Sequence, residues 1–261
     1  MATLCLTFDN MGNAKAIHDG LAQGPDRGEP GLAVGYPRLL ALLDELGLHG
    51  TFFLEGWNAV HHPDRVLDLA QRGHEVAMHG WMHERFADLD AAAAADCIHR
   101  AHAAFRGIGL APTGFRAPGG LRGLHAEPVL AQLGYRYDSS MGSAAEAAPD
   151  RIAALPGRLP SGLAHVPWHE ALVDSIQYLR SARPPSPAEL EASWMAAIDA
   201  VARDGGTTTL VVHAYVSGAD DERFAAVRNV LRHARRRGDI DFCTAAELAE
   251  RVPPPATSGV S

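Results

Sequence analysis

The sequence predicts an α/β protein with parallel strands, curled into a closed or nearly closed barrel. Three observations predict it. β-prone and helix-patterned segments alternate about six or seven times along the chain. The 261 residues suit a one-unit barrel, a fold that commonly runs to this length. Polar side chains of catalytic type recur where β runs end, as they do at the active rim of an α/β barrel.

The elements follow in order. "ATLCLTF" is a short apolar β run at the start of the chain, and residues 10 to 36, rich in Gly, Asn, Asp and Pro, read as a long functional loop. "YPRLLALLDELGLHG" has apolar residues at helical spacing, Pro near its start and Gly at its end. "TFFLEG" is a β run, "PDRVLDLAQRGH" a helix with a Gly stop, and "EVAMH" a strand. "DLDAAAAADCIHRAHAAFRGIG" is a long helix capped by Asp and stopped by Gly. "TGFRAPGG" is a strand entering a tight turn, "HAEPVLAQLG" a helix, and "YRYDSS" a strand with a polar exit. Residues 143 to 187 hold much of the proline and signal weakly, with "LAHVPWHE" their best strand. "SPAELEASWMAAIDAVARDG" is a helix opened by Ser-Pro, and "TTTLVVHAY" is a β-branched strand. "DDERFAAVRNVLRHARRRG" is a helix, and "DIDFCTAAELAERV" a closing strand and helix. Neither a repeat nor a linker divides the chain, so residues 1 to 252 are expected to form one catalytic domain, with 253 to 261 a disordered tail.

Composition narrows the partners. Hydrophobic residues at 47% and charged residues at 21% mark an ordinary soluble protein, and the net charge of −8 excludes nucleic acid and anionic membranes as partners. The basic run "RHARRRG" fits a solvated helix face. The three cysteines are far apart, which points to a reducing compartment rather than a disulfide scaffold. The N-terminus lacks the features of a secretory signal, and no apolar run approaches the roughly 20 residues of a membrane span. A cytoplasmic protein with limited access to extracellular polymers is therefore expected, with homo-oligomer formation left open.

Asp9 and Asn10 end the first β run, His79 the third, Arg116 the fourth, Asp138 the fifth, and His213 the "TLVV" run. No glycine-rich phosphate loop competes with them. His79 and His83 are four apart, so on a helical turn two imidazoles would face one ion. An H-x-x-x-H pair alone is weak in a chain of 14 histidines, where His61, His62, His99 and His102 suggest no chemistry.

Taken in order, "LTFDN", "GTFFLEG", "GHEVAMHGWMHE", "GFRAPGG" and "LVVHAY" resemble the polysaccharide deacetylase family, carbohydrate esterase family 4 of the NodB-type superfamily, from residue 4 to about 250. The long loop after the first motif resembles the cytosolic, small-substrate branch. The resemblance implies a distorted (β/α) barrel and a divalent-metal-dependent amide hydrolase. It implies Asp9 as general base, Asn10, His79 and His83 as metal ligands, Arg116 steadying the base, and His213 as general acid. Zinc is the expected metal, with cobalt, manganese or nickel as alternatives. Trp81, Pro118, Trp168 and Asp174 are the candidate substrate-binding residues, Trp168 and Asp174 from the least distinct motif. The departure is Asn10, where the family carries an aspartate; a neutral amide is a weaker donor, so weaker metal retention is expected. The first reading is an N-deacetylase of a small acylated amine or amino-sugar compound. The second is an allantoinase-like or cyclic-imide hydrolase, with or without a metal. A non-catalytic or repurposed, isomerase-type member is the third.

Overall fold

The computed structural model describes residues 2–141, 152–153 and 156–253. The tail expected over 253–261 lies outside the described residues except for its first residue. The described strands form one sheet, and β1 (Ala2–Asp9) is its centre. All eight residues of β1 are buried, as a parallel strand covered on both faces requires. Parallel neighbours flank it: β2 (Thr51–Leu54) at its C-terminal end and β8 (Thr207–His213) along its length. The short β9 (Ile240–Cys243) pairs with its first half.

From β2 the sheet continues in parallel through β3 (Glu75–Met78), β4 (Gly114–Phe115), β5 (Tyr137–Asp138) and β7 (Ala164–His165). β6 (Gly157–Arg158) joins β7 antiparallel at the edge. A parallel bridge between Val173 and Val211 brings the chain beyond β7 against β8. The barrel is distorted and incompletely closed, the short strands β4 to β7 marking its irregular side.

The long helices form where patterning and caps agree. α2 (Tyr36–Leu46) ends at Gly47, whose φ of 61° makes a left-handed stop. α5 (Ala91–Gly107) is capped by Asp90, whose carboxylate accepts from the Ala93 N–H. α7 (Pro187–Asp204) opens with a Ser186–Glu189 capping box, and α8 (Asp221–Arg237) with an Asp220 cap. The basic run lies at the exposed end of α8, with Arg232 paired to Glu45 and Arg237 to Asp199 and Asp239. Beneath the helices, Phe8 and Phe52 stack at 4.7 Å, and Phe53 meets Tyr137 edge-on.

The loop expected over residues 10–36 contains helix α1 (Ala14–His18) and a wide helical turn over 31–35. A Cβ on Gly35 would lie 2.2 Å from the Ala214 carbonyl oxygen, so only glycine lets this turn pack against the chain leaving β8. That packing fixes Tyr36, whose hydroxyl donates to the Asn10 carbonyl at 3.1 Å. The loop is thereby folded over the strand ends. Two further helices, α3 (Gly56–His61) and α4 (Pro63–Gln71), follow β2; periodicity indicated only the second. Among the described residues no helix is long and apolar enough to cross a membrane.

Candidate active site

The C-terminal strand ends form a cleft. Asp9 and His213 are the last residues of β1 and β8, and they pair in register. Arg116 directly follows β4 and His79 directly follows β3; the Arg116 N–H bonds to the Met78 carbonyl. Asp9, His79, His83, Arg116 and His213 all line one cleft, whose enclosed cavity is about 40 Å³, with Trp168, Val173, Ile176 and Tyr215 among its walls. Residues far apart in sequence are thus brought to one mouth.

Asp9 is 5% exposed, and its Oδ1 accepts from Arg116 Nη1 at 2.7 Å. Arg116 is 1% exposed and fully engaged. Its Nη1 also reaches Thr7 Oγ1 at 2.9 Å, its Nε the Ser139 carbonyl at 3.2 Å, and its Nη2 Ser139 Oγ at 2.9 Å. The guanidinium lies 4.1 Å over the Phe53 ring. Arg116 therefore holds the Asp9 carboxylate in one position.

His213 is held by Asp174. Its Nδ1 is 2.6 Å from Asp174 Oδ1, and its backbone N–H donates to Asp174 Oδ2 at 2.9 Å. Ser217 Oγ and the Ser175 N–H complete the carboxylate's partners at 2.7 and 2.6 Å. Burial alone lowers the His213 pKa, but the charge and hydrogen bond of Asp174 outweigh it and the net shift is upward. Asp174 was expected to bind substrate. It is 0% exposed and faces His213, so it is an anchor for the imidazole and not a substrate contact. Replacing Asp174 by asparagine removes the negative charge that raises the pKa and leaves only a weaker, neutral hydrogen bond against burial. We expect the His213 pKa to fall, moving the alkaline limb of the kcat/KM profile to lower pH; an unmoved limb would show that His213 is not the acid.

His79 and His83 do not sit on a helix. A turn separates them, with Gly80 at φ 74° and His83 itself at φ 76°. The Glu84 carboxylate shapes it by accepting from the Trp81 and Met82 N–H groups at 2.8 to 3.0 Å. A non-glycine residue held in the left-handed region is a strain that functional sites concentrate. The two ring centroids end 5.3 Å apart. His79 Nδ1 is 2.8 Å from the Arg116 carbonyl oxygen; a proton there leaves Nε2 with its lone pair free. Burial depresses both pKa values, to about 3 for His79 and about 2 for His83, where the neighbouring His79 and Lys15 add to the effect. Both rings are neutral donors at physiological pH.

Asn10, at φ 66°, is 3% exposed, and its Oδ1 has no hydrogen-bond partner. Among the described residues no three His, Cys, Asp or Glu side chains gather to hold a metal ion. The cation donors on offer are the two imidazoles and the Asn10 carboxamide oxygen. Two neutral imidazoles on the cavity wall and, next to Asp9, an orphaned buried carboxamide oxygen are donor types that suit a divalent cation, though Asn10 is not among the residues lining the cavity and the set carries no charge of its own.

The other candidates separate. Trp168 lines the cavity, donates Nε1–H to the Ser139 carbonyl at 2.8 Å, and sits against Gly120, where a Cβ would lie 2.5 Å from its ring. Pro118 borders only an outer part of the cleft. Trp81, expected at the pocket, is 8% exposed in the core with the Arg100 guanidinium 4.0 Å over its ring. It packs and does not line the cavity. Asp138 is structural: buried, raised to about 6 by desolvation, and bound to Ser140 Oγ and Arg122 at 2.6 and 3.0 Å. Two participants escaped sequence reading. Ser139 braces Arg116, and its signal was the polar exit of "YRYDSS". Glu55 is wholly buried, with a pKa pushed up to about 8 by desolvation, and it accepts from Asn58 Nδ2 and, at 3.4 Å, from the Met11 N–H. It backs the loop that carries Asn10.

A barrel rim bearing an Asp–Arg pair, an Asp-held histidine and two neutral imidazoles defines a class: barrel proteins equipped for acid–base chemistry at the strand ends. The polysaccharide deacetylase family profile matches residues 2–137, more than half of the chain. The chain belongs to the polysaccharide deacetylase family. A Helicobacter pylori peptidoglycan deacetylase is 30% identical over 124 residues, 47% of this chain and 41% of that protein; the chain spans well under half of that relative's length. A solved Mycobacterium smegmatis structure assigned to the polysaccharide deacetylases is 28% identical, with a TM-score of 0.80 over 97% of this chain and 92% of that one. The PuuE allantoinase structure also reaches a TM-score of 0.80, over 95% of this chain and 89% of that one, at 18% identity, which speaks for the fold alone.

Proposed function

We propose that this protein is an amide hydrolase of the deacetylase type, dependent on a divalent cation, acting on a small N-acylated compound. One observation carries the reading: Asp9 and His213 stand in register on adjacent strands, each fixed by its own buried partner, in a cavity shared with two neutral imidazoles.

A divalent cation held by His79, His83 and the Asn10 carboxamide oxygen would polarise an amide carbonyl and acidify water. Asp9, immobilised by Arg116, takes the proton from the attacking water. His213, kept protonated to higher pH by Asp174, delivers a proton to the departing nitrogen. The water oxygen becomes bonded to the acyl carbon, the carbon–nitrogen bond breaks, and acid and free amine leave. Trp168 and Tyr215 limit the space beside the reacting group.

Opening of a cyclic amide is a second reading, favoured by the small cavity; the same acid and base serve it. The two reactions differ in product: deacetylation releases acetate, whereas ring opening adds water and releases nothing. The test assays purified protein on N-acetylated amino sugars and on cyclic ureides and imides, before and after chelation. We expect turnover lost on chelation and restored by zinc, cobalt or manganese. Asn10→Asp should retain metal more tightly by elemental analysis after dialysis, because it adds a charge to a neutral donor set. Full activity after exhaustive chelation would remove the cation from the proposal.

A further inference from the structure

A second lobe, about 370 Å³, opens beside the catalytic cavity and shares Lys15, His83, Gly119 and Arg180 with it. Its charge runs against that of the molecule. The chain carries a net −8, yet the two lobes together are lined by four permanent cations, Lys15, Arg85, Arg116 and Arg180, against two carboxylates, Asp9 and Asp19. Arg116 is wholly occupied with Asp9, Thr7 and Ser139.

The cations at the junction are not occupied in this way. Among the described residues Lys15 pairs only with Asp19, one helical turn away, with side chains 42% and 35% exposed. Solvated pairs of this kind hold weakly and exchange partners readily. Among the described residues Arg180 forms no ion pair or hydrogen bond through its guanidinium. The segment that carries it is anchored: Arg180 ends a turn over Ile176–Arg180 whose Tyr178 is buried and lies under Arg223, 4.5 Å from ring centre to guanidinium carbon. Lys15 and Arg180 both line the catalytic cavity together with His83, His213 and Tyr215.

We propose that Lys15 and Arg180 form an anion subsite at the junction of the two lobes, and that the substrate is an N-acyl compound carrying a carboxylate or phosphate a few bonds from its amide. The subsite rests on the hydrolytic reading above and gives it a substrate class. A clefted field of one sign also concentrates such substrates from solution. Arg180 supplies the planar, bidentate donor suited to either oxyanion, and Lys15 a mobile point charge.

The test compares N-acetylmuramic acid (carboxylate), N-acetylglucosamine 6-phosphate (phosphate) and neutral N-acetylglucosamine. N-acetylglycine against neutral N-acetylglycinamide extends it beyond sugars. Turnover and calorimetric binding are measured on the full chain with its metal. We expect one anionic member to exceed its neutral match about tenfold or more in kcat/KM. That ratio should fall with added salt, collapse toward one in K15M/R180Q, and largely survive in Arg180→Lys. Which anion wins separates carboxylate from phosphate. An anionic-to-neutral ratio near one in the unmodified protein, or an unchanged ratio in the double variant, overturns the subsite. If nothing is hydrolysed but an anionic compound binds in a manner dependent on Lys15 and Arg180, the subsite stands and the hydrolytic reading falls. If no anionic compound binds at all, the subsite is wrong.

Discussion

Asp9→Asn is expected to lower kcat by about 10²–10⁴-fold, the range a positioned general base contributes, while the protein stays folded. Asparagine has nearly the same shape, and its Oδ1 can still accept from Arg116 Nη1, which now lies 2.7 Å from the carboxylate. Arg116 keeps its bonds to Thr7 and Ser139. What disappears is the ability to take a proton from water. KM should change little, because the amide substitutes for the carboxylate in shape. The measurement is kcat and KM beside a thermal melt. Were Asp9 only the counter-ion of Arg116, the loss of kcat would follow the folded fraction and no further. A large loss in a protein that is still folded assigns Asp9 to the chemistry.

The long periodic elements were legible because their signals are local. The apolar spacing of 36–46, the Asp90 cap and the Ser186–Pro187 opening are each contained within a few residues. So were the strand-end positions of Asp9, His79, Arg116 and His213, since a β run and its polar exit are read together. The role of Asp174 was not legible. Its partner is 39 residues away, and only the Val173–Val211 bridge places the two side by side. Trp81 misled for a related reason: an aromatic inside a metal-type motif reads as a pocket wall, and only the turn at Gly80 sends it into the core beneath Arg100. The His79–His83 spacing did identify a pair, but by a different geometry from the helical turn expected. A left-handed His83 held by Glu84 brings the rings together. Glu55 gave no sign because the pKa of a buried carboxyl depends on what surrounds it, which one stretch of sequence does not contain. The charge reversal at Lys15 and Arg180 was hidden too: the residues lie 165 positions apart, and the net charge of the whole chain has the opposite sign.

Arg116→Met should destabilise the protein by about 3–5 kcal/mol, because it leaves one partner of a buried ion pair without the other. The Arg116 and Asp9 side chains are 2% and 7% exposed, so little solvent screens the loss. Methionine fills comparable volume and can lie against Phe53, which limits any cavity term. Two of the groups Arg116 contacts retain other bonds: Thr7 Oγ1 donates to the Leu210 carbonyl at 2.9 Å, and Ser139 Oγ to the Val166 carbonyl at 2.8 Å. The cost is thus concentrated on Asp9. Combining Arg116→Met with Asp9→Asn removes the stranded charge, and the double variant should recover much of the stability lost by the first change, as coupled neighbours do. It should recover no activity, since the base is gone. Chemical denaturation of the four proteins of this cycle, read beside their kcat, separates the two roles of the pair. Additive stability losses would mean that Asp9 and Arg116 do not depend on one another, and the account of how the base is held would fail.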